Sequence, residues 1–232
     1  MKPEAGSSKN MMNHITASQR ERLAGIVRDI LDTGDCCHDW DHTERVLANA
    51  MNIAAGTVAD LDVVTAAAIL HDIARPEESA SRGARDHAEL GAEMAERILT
   101  EENIGTPEFR KHVAECIRTH RFRSRSGKKP ASIEAEIIFD ADKLDSIGAV
   151  GVARSCHFAG QTGARVHNRA HEALAGEPYG REDSAYREYL VKLSKVPEKM
   201  LTENGRILAA QRKIFMDTFF DTLNRECYGQ MP

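Results

Sequence analysis

The feature that most constrains the fold is the run of nine residues from Ala66 to Ala74. This run is apolar and helical in composition, and it ends in an adjacent imidazole and carboxylate, His71 and Asp72. Burying the run places both polar side chains at the rim of a hydrophobic core, where an unpaired charge is costly. A divalent cation would remove that cost, because imidazole nitrogens and carboxylate oxygens both bind first-row metals. We therefore expect other parts of the chain to supply further ligands to this pair.

Apolar residues recur at helical spacing along most of the chain, and no segment shows the alternation typical of a strand. Ile133 to Ile147 is predicted to be one helix, and Arg75-Pro76 is predicted to end the central helix, with a polar loop running to Arg85. Residues 161–183 are predicted to form a long loop. Helix starts are predicted at Ser18 with Glu21 as a capping box, at Asp60, at Asp86-His87 and at Thr106-Pro107. The predicted fold class is all-α.

The length of 232 residues fits one helical domain with an extension. We predict a disordered or flexible lead-in over 1–16 and a metal-binding helical core over 17–160. Residues 161–232 are predicted to form the long loop and C-terminal helices packed on that core. The stripe of Phe215, Phe219 and Phe220 favours a core-facing helix, and it leaves a homodimer open.

Composition and charge exclude several classes of protein. The net charge of −5 disfavours broad attraction to nucleic acid or an anionic membrane, although Arg121 to Lys129 is locally basic and would steer an anionic ligand. No apolar run approaches the roughly 20 residues that cross a bilayer. The N-terminus lacks the apolar centre of a signal peptide. Five scattered cysteines indicate reduced thiols and a cytoplasmic location.

Two further residues complete a candidate metal site with His71 and Asp72. His42 lies near the start of a predicted helix, and Asp142 lies inside a later apolar helix. Two imidazoles and two carboxylates leave an octahedral cation with open positions for water and substrate oxygens. Any one of these residues taken alone would more often be structural, so the prediction depends on the full set.

Three segments give the chain a family resemblance. His38 to Val46 supplies one motif, His71-Asp72 the second, and Asp140 to Ala149 the third. Together they resemble the HD-domain superfamily of metal-dependent phosphohydrolases, whose name comes from the His-Asp pair. The similarity is greatest to the small stand-alone bacterial HD hydrolases and continues through Met200 to Arg206.

The resemblance implies an HD-domain helical bundle with a C-terminal helical extension and a metal held by His42, His71, Asp72 and Asp142. The metal would be Mn, Mg, Fe, Co, Ni or Zn, with Mn favoured. The implied reaction is hydrolysis of a phosphoester or phosphoanhydride, with a nucleotide as the favoured small-molecule substrate and a metal-activated water as the attacking group. Asp72 and Asp145 are the candidate catalytic carboxylates, and Asp145 is alternatively expected to orient a ligand or a water. Asp140 is expected to be an ordinary charge on the helix surface.

His87 and His120 decide between two mechanisms within this family. In two-metal relatives, such histidines complete a second cation site bridged by the aspartate of the pair. In one-metal relatives they contact the substrate phosphate instead. We favour one metal, with both histidines as catalytic and substrate-binding residues. The other candidate substrate contacts are His38, Arg75 and Lys143.

Two rival functions remain open. A di-iron oxygenase of the same fold would need both His87 and His120 as metal ligands. A non-enzymatic regulatory protein would hold a metal only for structure, with its coordination filled by protein groups.

Overall fold

A computed structural model of the chain describes residues 14–32, 39–121 and 128–229. The described residues form helices and no strands, which confirms the predicted all-α class. The α-helices are α1 (Ala17–Leu31), α2 (Trp40–Ala54), α3 (Leu61–Leu70), α4 (Arg75–Ala80), α5 (His87–Glu101), α6 (Pro107–Thr119), α7 (Ile133–Asp145), α8 (Gly148–Gln161), α9 (Ala170–Ala175), α10 (Ala185–Val191) and α11 (Glu203–Tyr228). Two short 3₁₀ helices, Leu193–Lys195 and Pro197–Lys199, precede α11.

Helix α3 is the centre of the fold. Every residue from Val63 to Ala74 is buried, so the helix is apolar on all of its faces and needs neighbours on every side. Helices α2, α6 and α7 pack around it. Because α3 ends at Leu70, His71 and Asp72 begin a turn at the bottom of a closed core, both less than 3% exposed.

Most predicted helix starts agree with the structure. The side chain of Asp60 accepts hydrogen bonds from the backbone of Asp62 and Val63, and Asp86 and Thr106 cap their helices in the same way. The predicted cap of the first helix is wrong. Thr16 caps α1 in a capping box with Gln19, because this upstream pair satisfies the same pattern and adds backbone hydrogen bonds to the helix.

Two predicted loops contain short helices. Arg75-Pro76 does not lead into a loop but begins α4, since proline suits the first turn of a helix and two glutamates follow it there. Within the predicted loop 161–183, the structure places α9, whose Glu172 side chain accepts from the backbone of Arg169. Both helices have six residues, too few for an apolar period to be visible in the sequence.

The C-terminal helix α11 is fastened to the core by buried polar contacts. Asp140 is fully buried, and its carboxylate accepts from the backbone N–H groups of Leu201 and Thr202 and from the Thr202 hydroxyl. The expectation of a surface charge at Asp140 is therefore wrong. It follows from the facing chain, which brings backbone donors onto this side of α7. Farther along α11, Arg212 donates to the Asn49 side chain on α2.

The aromatic stripe of α11 is divided between core and surface. Phe220 is buried, whereas Phe215 is 48% exposed.

None of the helices in the described residues has the length and apolar character needed to cross a bilayer. At the N-terminus, Ile15 is buried and His14 stacks on Phe109, so the last described residues of the lead-in pack on the helical core.

Candidate metal centre

Four helices meet around Asp72 and bring four histidines to its carboxylate. The side chains come from α2, from the turn after α3, from the start of α5 and from the residue that ends α6. Each of them is no more than 2% exposed. The residues that the structure brings together are His42, His71, Asp72, His87 and His120.

The first cluster consists of His42, His71 and one oxygen of Asp72. The two Nε2 atoms lie 3.2 Å apart, and Asp72 Oδ2 lies 3.5 Å from His42 Nε2 and 3.6 Å from His71 Nε2. Asp142 approaches from α7, with its Oδ1 atom 3.6 Å from His42 Nε2. Three of the four predicted ligands, His42, His71 and Asp72, therefore form one cluster, and Asp142 lies beside it.

The second cluster uses the other oxygen of the same carboxylate. Asp72 Oδ1 lies 3.3 Å from His87 Nε2 and 3.6 Å from His120 Nε2, and these two nitrogens are 3.3 Å apart. In each cluster the candidate ligand atoms lie within 4.8 Å of one another. The carboxylate of Asp72 thus stands between two groups of nitrogens.

The far nitrogen of every imidazole has an oxygen partner. His71 Nδ1 lies 2.8 Å from the carbonyl of Ala68, and His120 Nδ1 lies 2.6 Å from that of Ile117. His42 Nδ1 lies 2.8 Å from Asp145 Oδ2. These oxygens only accept, so each Nδ1 carries hydrogen and each Nε2 points inward.

This arrangement requires positive charge at its centre. Two inward lone pairs about 3 Å apart repel unless a proton or a metal ion lies between them. Asp72 Oδ2 is buried and has no hydrogen-bond partner among the described residues. A divalent cation would satisfy this oxygen and the facing nitrogens together, so the residues present fit a metal.

The pKa values of the histidines describe how protons occupy the centre. Burial lowers the pKa of His42, but the carboxylates of Asp145 and Asp72 outweigh it and raise that pKa to about 9. Burial lowers the pKa of His71 to about 4. At neutral pH, His42 therefore carries the proton and His71 is neutral, and a bound cation would displace that proton.

The carboxylates stay ionised despite their burial. Burial would raise the pKa of Asp72, but Arg75 and the nearby imidazoles hold it well below its ordinary value. Burial would likewise raise the pKa of Asp142. The positive charges of Lys143 and His42 outweigh this and hold the pKa of Asp142 well below its ordinary value. Both carboxylates are therefore anionic at neutral pH.

The predicted substrate contacts Arg75 and Lys143 lie at this centre. Arg75 Nε donates to Asp72 Oδ1 over 3.1 Å. Lys143 Nζ donates to Asp142 Oδ2 over 2.6 Å and stands above the ring of Phe139. The remaining predicted contact, His38, lies outside the described residues, as do residues 122–127 of the predicted basic loop.

Sequence reasoning missed three charged residues around the centre. Glu78 Oε2 lies 2.7 Å from His87 Nδ1, so a carboxylate orients this fourth imidazole. Arg45 and Arg154 both donate to the carboxylate of Asp145. Arg45 stands within the first motif, three residues after His42, and this spacing places both on one helix face. No sequence pattern indicated a role for Glu78, because the segment that forms α4 was predicted to be a loop.

Comparison with known proteins agrees with this geometry. The HD domain family matches residues 39–147, which contain all the residues of both clusters. The chain is 32% identical to the Bacillus subtilis protein YpgQ over 219 residues, which cover 91% of this chain and 95% of YpgQ.

Solved structures show the same similarity. The crystal structure of YpgQ has a TM-score of 0.72 at 29% identity and covers 94% of this chain and 99% of that chain. A structure of YpgQ in complex with ADP has a TM-score of 0.71 at 28% identity, covering 91% of this chain and 99% of that chain. An HD-superfamily hydrolase from Bacillus thuringiensis has a TM-score of 0.70 at 25% identity, covering 92% and 98%. Together with the match to the HD motif, these similarities establish that the chain belongs to the HD-domain superfamily.

Proposed function

We propose that this protein is a metal-dependent phosphohydrolase that cleaves a phosphoester or phosphoanhydride bond of a nucleotide. The observation that carries the proposal is the carboxylate of Asp72, buried between two pairs of inward-facing imidazoles with one oxygen lacking a hydrogen bond. His42, His71, Asp72 and Asp142 would hold the metal. When bound there, a divalent cation lowers the pKa of water and polarises a phosphoryl oxygen.

The protein groups around the cluster suit an anionic substrate. Arg75 and Lys143 add positive charge next to the proposed ligands, with side chains 23% and 19% exposed. Both can therefore meet phosphate oxygens that carry charge in the transition state. His87 and His120 present Nε2 atoms on the other side of Asp72, where they can bind a phosphate oxygen or hold a proton.

Nucleotides are proposed as the substrate class by analogy with a relative. YpgQ has been crystallised with ADP, and its chain aligns with this one over nearly the whole length. Fold similarity alone does not transfer a substrate, so the assignment depends on measurement.

The direct test is a panel of nucleotides and simple phosphoesters assayed with Mn²⁺, Mg²⁺, Co²⁺ and Ni²⁺. We expect at least one nucleotide to be hydrolysed by the wild type, with loss of activity in Asp72→Asn. Asp41→Asn is the matched control, because Asp41 is exposed and lies outside both clusters. If the wild type hydrolyses nothing above the Asp72→Asn background with any metal, the alternative of a regulatory protein with a structural metal is favoured.

The cluster of Asp72, His87 and His120 keeps a second candidate function open. Its ligand atoms are as closely grouped as those of the first cluster, so a second cation would complete the di-iron site of an oxygenase. Iron and manganese analysis of protein purified without chelator separates the two functions. Two irons per chain, with a mixed-valent spectroscopic signal, would support the oxygenase and contradict our proposal.

A further inference from the structure

One carboxylate outside both clusters contacts three groups at the rim of the centre. Glu78 lies on the short helix α4, and its side chain is 13% exposed. Its Oε2 atom lies 2.7 Å from His87 Nδ1 and 3.2 Å from Arg75 Nη1. Its Oε1 atom lies 2.6 Å from Arg121 Nη1, at the end of α6. A single side chain thus joins α4, the start of α5 and the residue after His120.

The same arrangement occurs at the opposite end of the centre. The carboxylate of Asp145 is hydrogen-bonded to His42 Nδ1. It also accepts hydrogen bonds from two arginines, Arg45 and Arg154. A carboxylate that accepts from an imidazole N–H fixes the orientation of the ring and makes its other nitrogen a better ligand or base. Each half of the centre therefore has one imidazole fixed by a carboxylate that two guanidiniums neutralise.

We propose that Glu78 is a positioning residue that fixes the ring of His87 and two neighbouring guanidiniums at one edge of the metal centre. Without it, the ring would be free to rotate, and His87 Nε2 would lose its alignment with Asp72 Oδ1. Arg121 Nη1 lies farther from the other carboxylate beside it in the described part of the chain, Asp86, whose Oδ2 atom is 3.5 Å away. The role deepens the proposed function, because it supplies a fixed cationic edge for the substrate phosphates.

Glu78→Gln is the most informative change. Glutamine keeps the shape of glutamate but offers one oxygen instead of two, and its NH₂ group faces donors. It can therefore accept from either His87 or Arg121, but not from both. Loss of such a supporting hydrogen bond typically costs about 10–100-fold in activity or metal affinity.

The experiment has a kinetic arm and a spectroscopic arm. We expect kcat/KM of Glu78→Gln to fall about 10–100-fold on the substrate found in the nucleotide panel. In metal-free protein with ¹⁵N-labelled histidine, we expect the downfield Nδ1–H signal of His87 to be lost or moved upfield. Glu89→Gln is the control, because it weakens a glutamate–arginine contact between Glu89 on α5 and Arg118 on α6.

The outcomes separate this proposal from the function on which it rests. If the wild type hydrolyses no nucleotide, the proposed function fails, and the His87 signal still decides the role of Glu78. Wild-type kinetics in Glu78→Gln would overturn the positioning role, and so would lower activity with an unchanged His87 signal. If Glu78→Gln does not fold, Glu78→Asp replaces it. Aspartate is one methylene shorter and should disturb the same signal while keeping the charge.

Discussion

Replacing Asp140 tests whether buried hydrogen bonds hold the C-terminal helix on the core. Asp140 Oδ2 accepts from Thr202 N at 2.8 Å and from Thr202 Oγ1 at 2.7 Å, and Oδ1 accepts from Leu201 N at 2.9 Å. Thr202 also caps α11 by accepting from Gly205 N. A single substitution on α7 should therefore loosen the start of the longest helix.

The magnitude follows from the donors that would be left without an acceptor. Leu201 is 37% exposed, so its N–H can turn to water, whereas Thr202 is 7% exposed. A buried donor without a partner costs about 1–3 kcal/mol. With two donors on Thr202, Asp140→Ala should lower the free energy of unfolding by about 2–6 kcal/mol before any compensation. Removing the desolvation cost that raises the pKa of Asp140 offsets part of the loss.

Asp140→Asn separates hydrogen bonding from packing. Asparagine fills nearly the same volume, but its NH₂ group would face donors of Thr202 or Leu201. We therefore expect Asp140→Asn to lose less stability than Asp140→Ala in urea unfolding of the metal-free protein, because the amide oxygen can still accept from both donors of Thr202 while the NH₂ group faces the N–H of Leu201, which can turn to water. The exposed Asp41→Asn control should stay within about 0.5 kcal/mol of the wild type. Metal affinity of folded Asp140→Asn should be unchanged, because Asp142 is the proposed ligand.

Two results would refute this reasoning. If both Asp140 variants unfold within about 0.5 kcal/mol of the wild type, the contacts seen here contribute nothing measurable. If Asp140→Asn loses at least as much stability as Asp140→Ala, an acceptor oxygen facing Thr202 is not what stabilises the start of α11.

Three other changes have expected outcomes. Asp145→Asn should weaken metal binding about 10–100-fold in calorimetry, because the His42 ring loses a charged acceptor; unchanged affinity would contradict this. Cys116 should be alkylated far more slowly than Cys227 in site-mapped mass spectrometry, because burial raises its pKa to about 12; equal rates would refute the burial. Gly148→Ala should lower the melting temperature, because Gly148 has a φ of +76° and an added Cβ would lie 2.9 Å from a neighbouring side chain.

The central helix and its metal ligands could be predicted because their signals are local or motif-like. The apolar run before His71 has no polar face, which indicates a buried helix, and Asp60 precedes it as a cap. The His-Asp pair, His42 and Asp142 fit a known motif. Their convergence needed coordinates, because residues about 30 and 70 positions apart approach only through the packing of α2, α3 and α7.

Contacts from the short or C-terminal helices could not be predicted in this way. Glu78 lies on a helix of only six residues, where no apolar period distinguishes helix from loop. Asp140 stands two residues before Asp142 and resembles any surface aspartate. Its burial is decided by Leu201 and Thr202, some 60 residues later in the chain. The roles of such residues depend on long-range contacts that no local pattern records.

The most direct test of the account is anomalous diffraction from crystals of this protein soaked in Mn²⁺. We predict a peak bonded to the Nε2 atoms of His42 and His71 and to carboxylate oxygens of Asp72 and Asp142, at about 2.0–2.6 Å. A second peak between Asp72, His87 and His120 would assign the other cluster to a metal as well. Absence of any peak near Asp72 at saturating Mn²⁺, with the side chains as described here, would contradict the account.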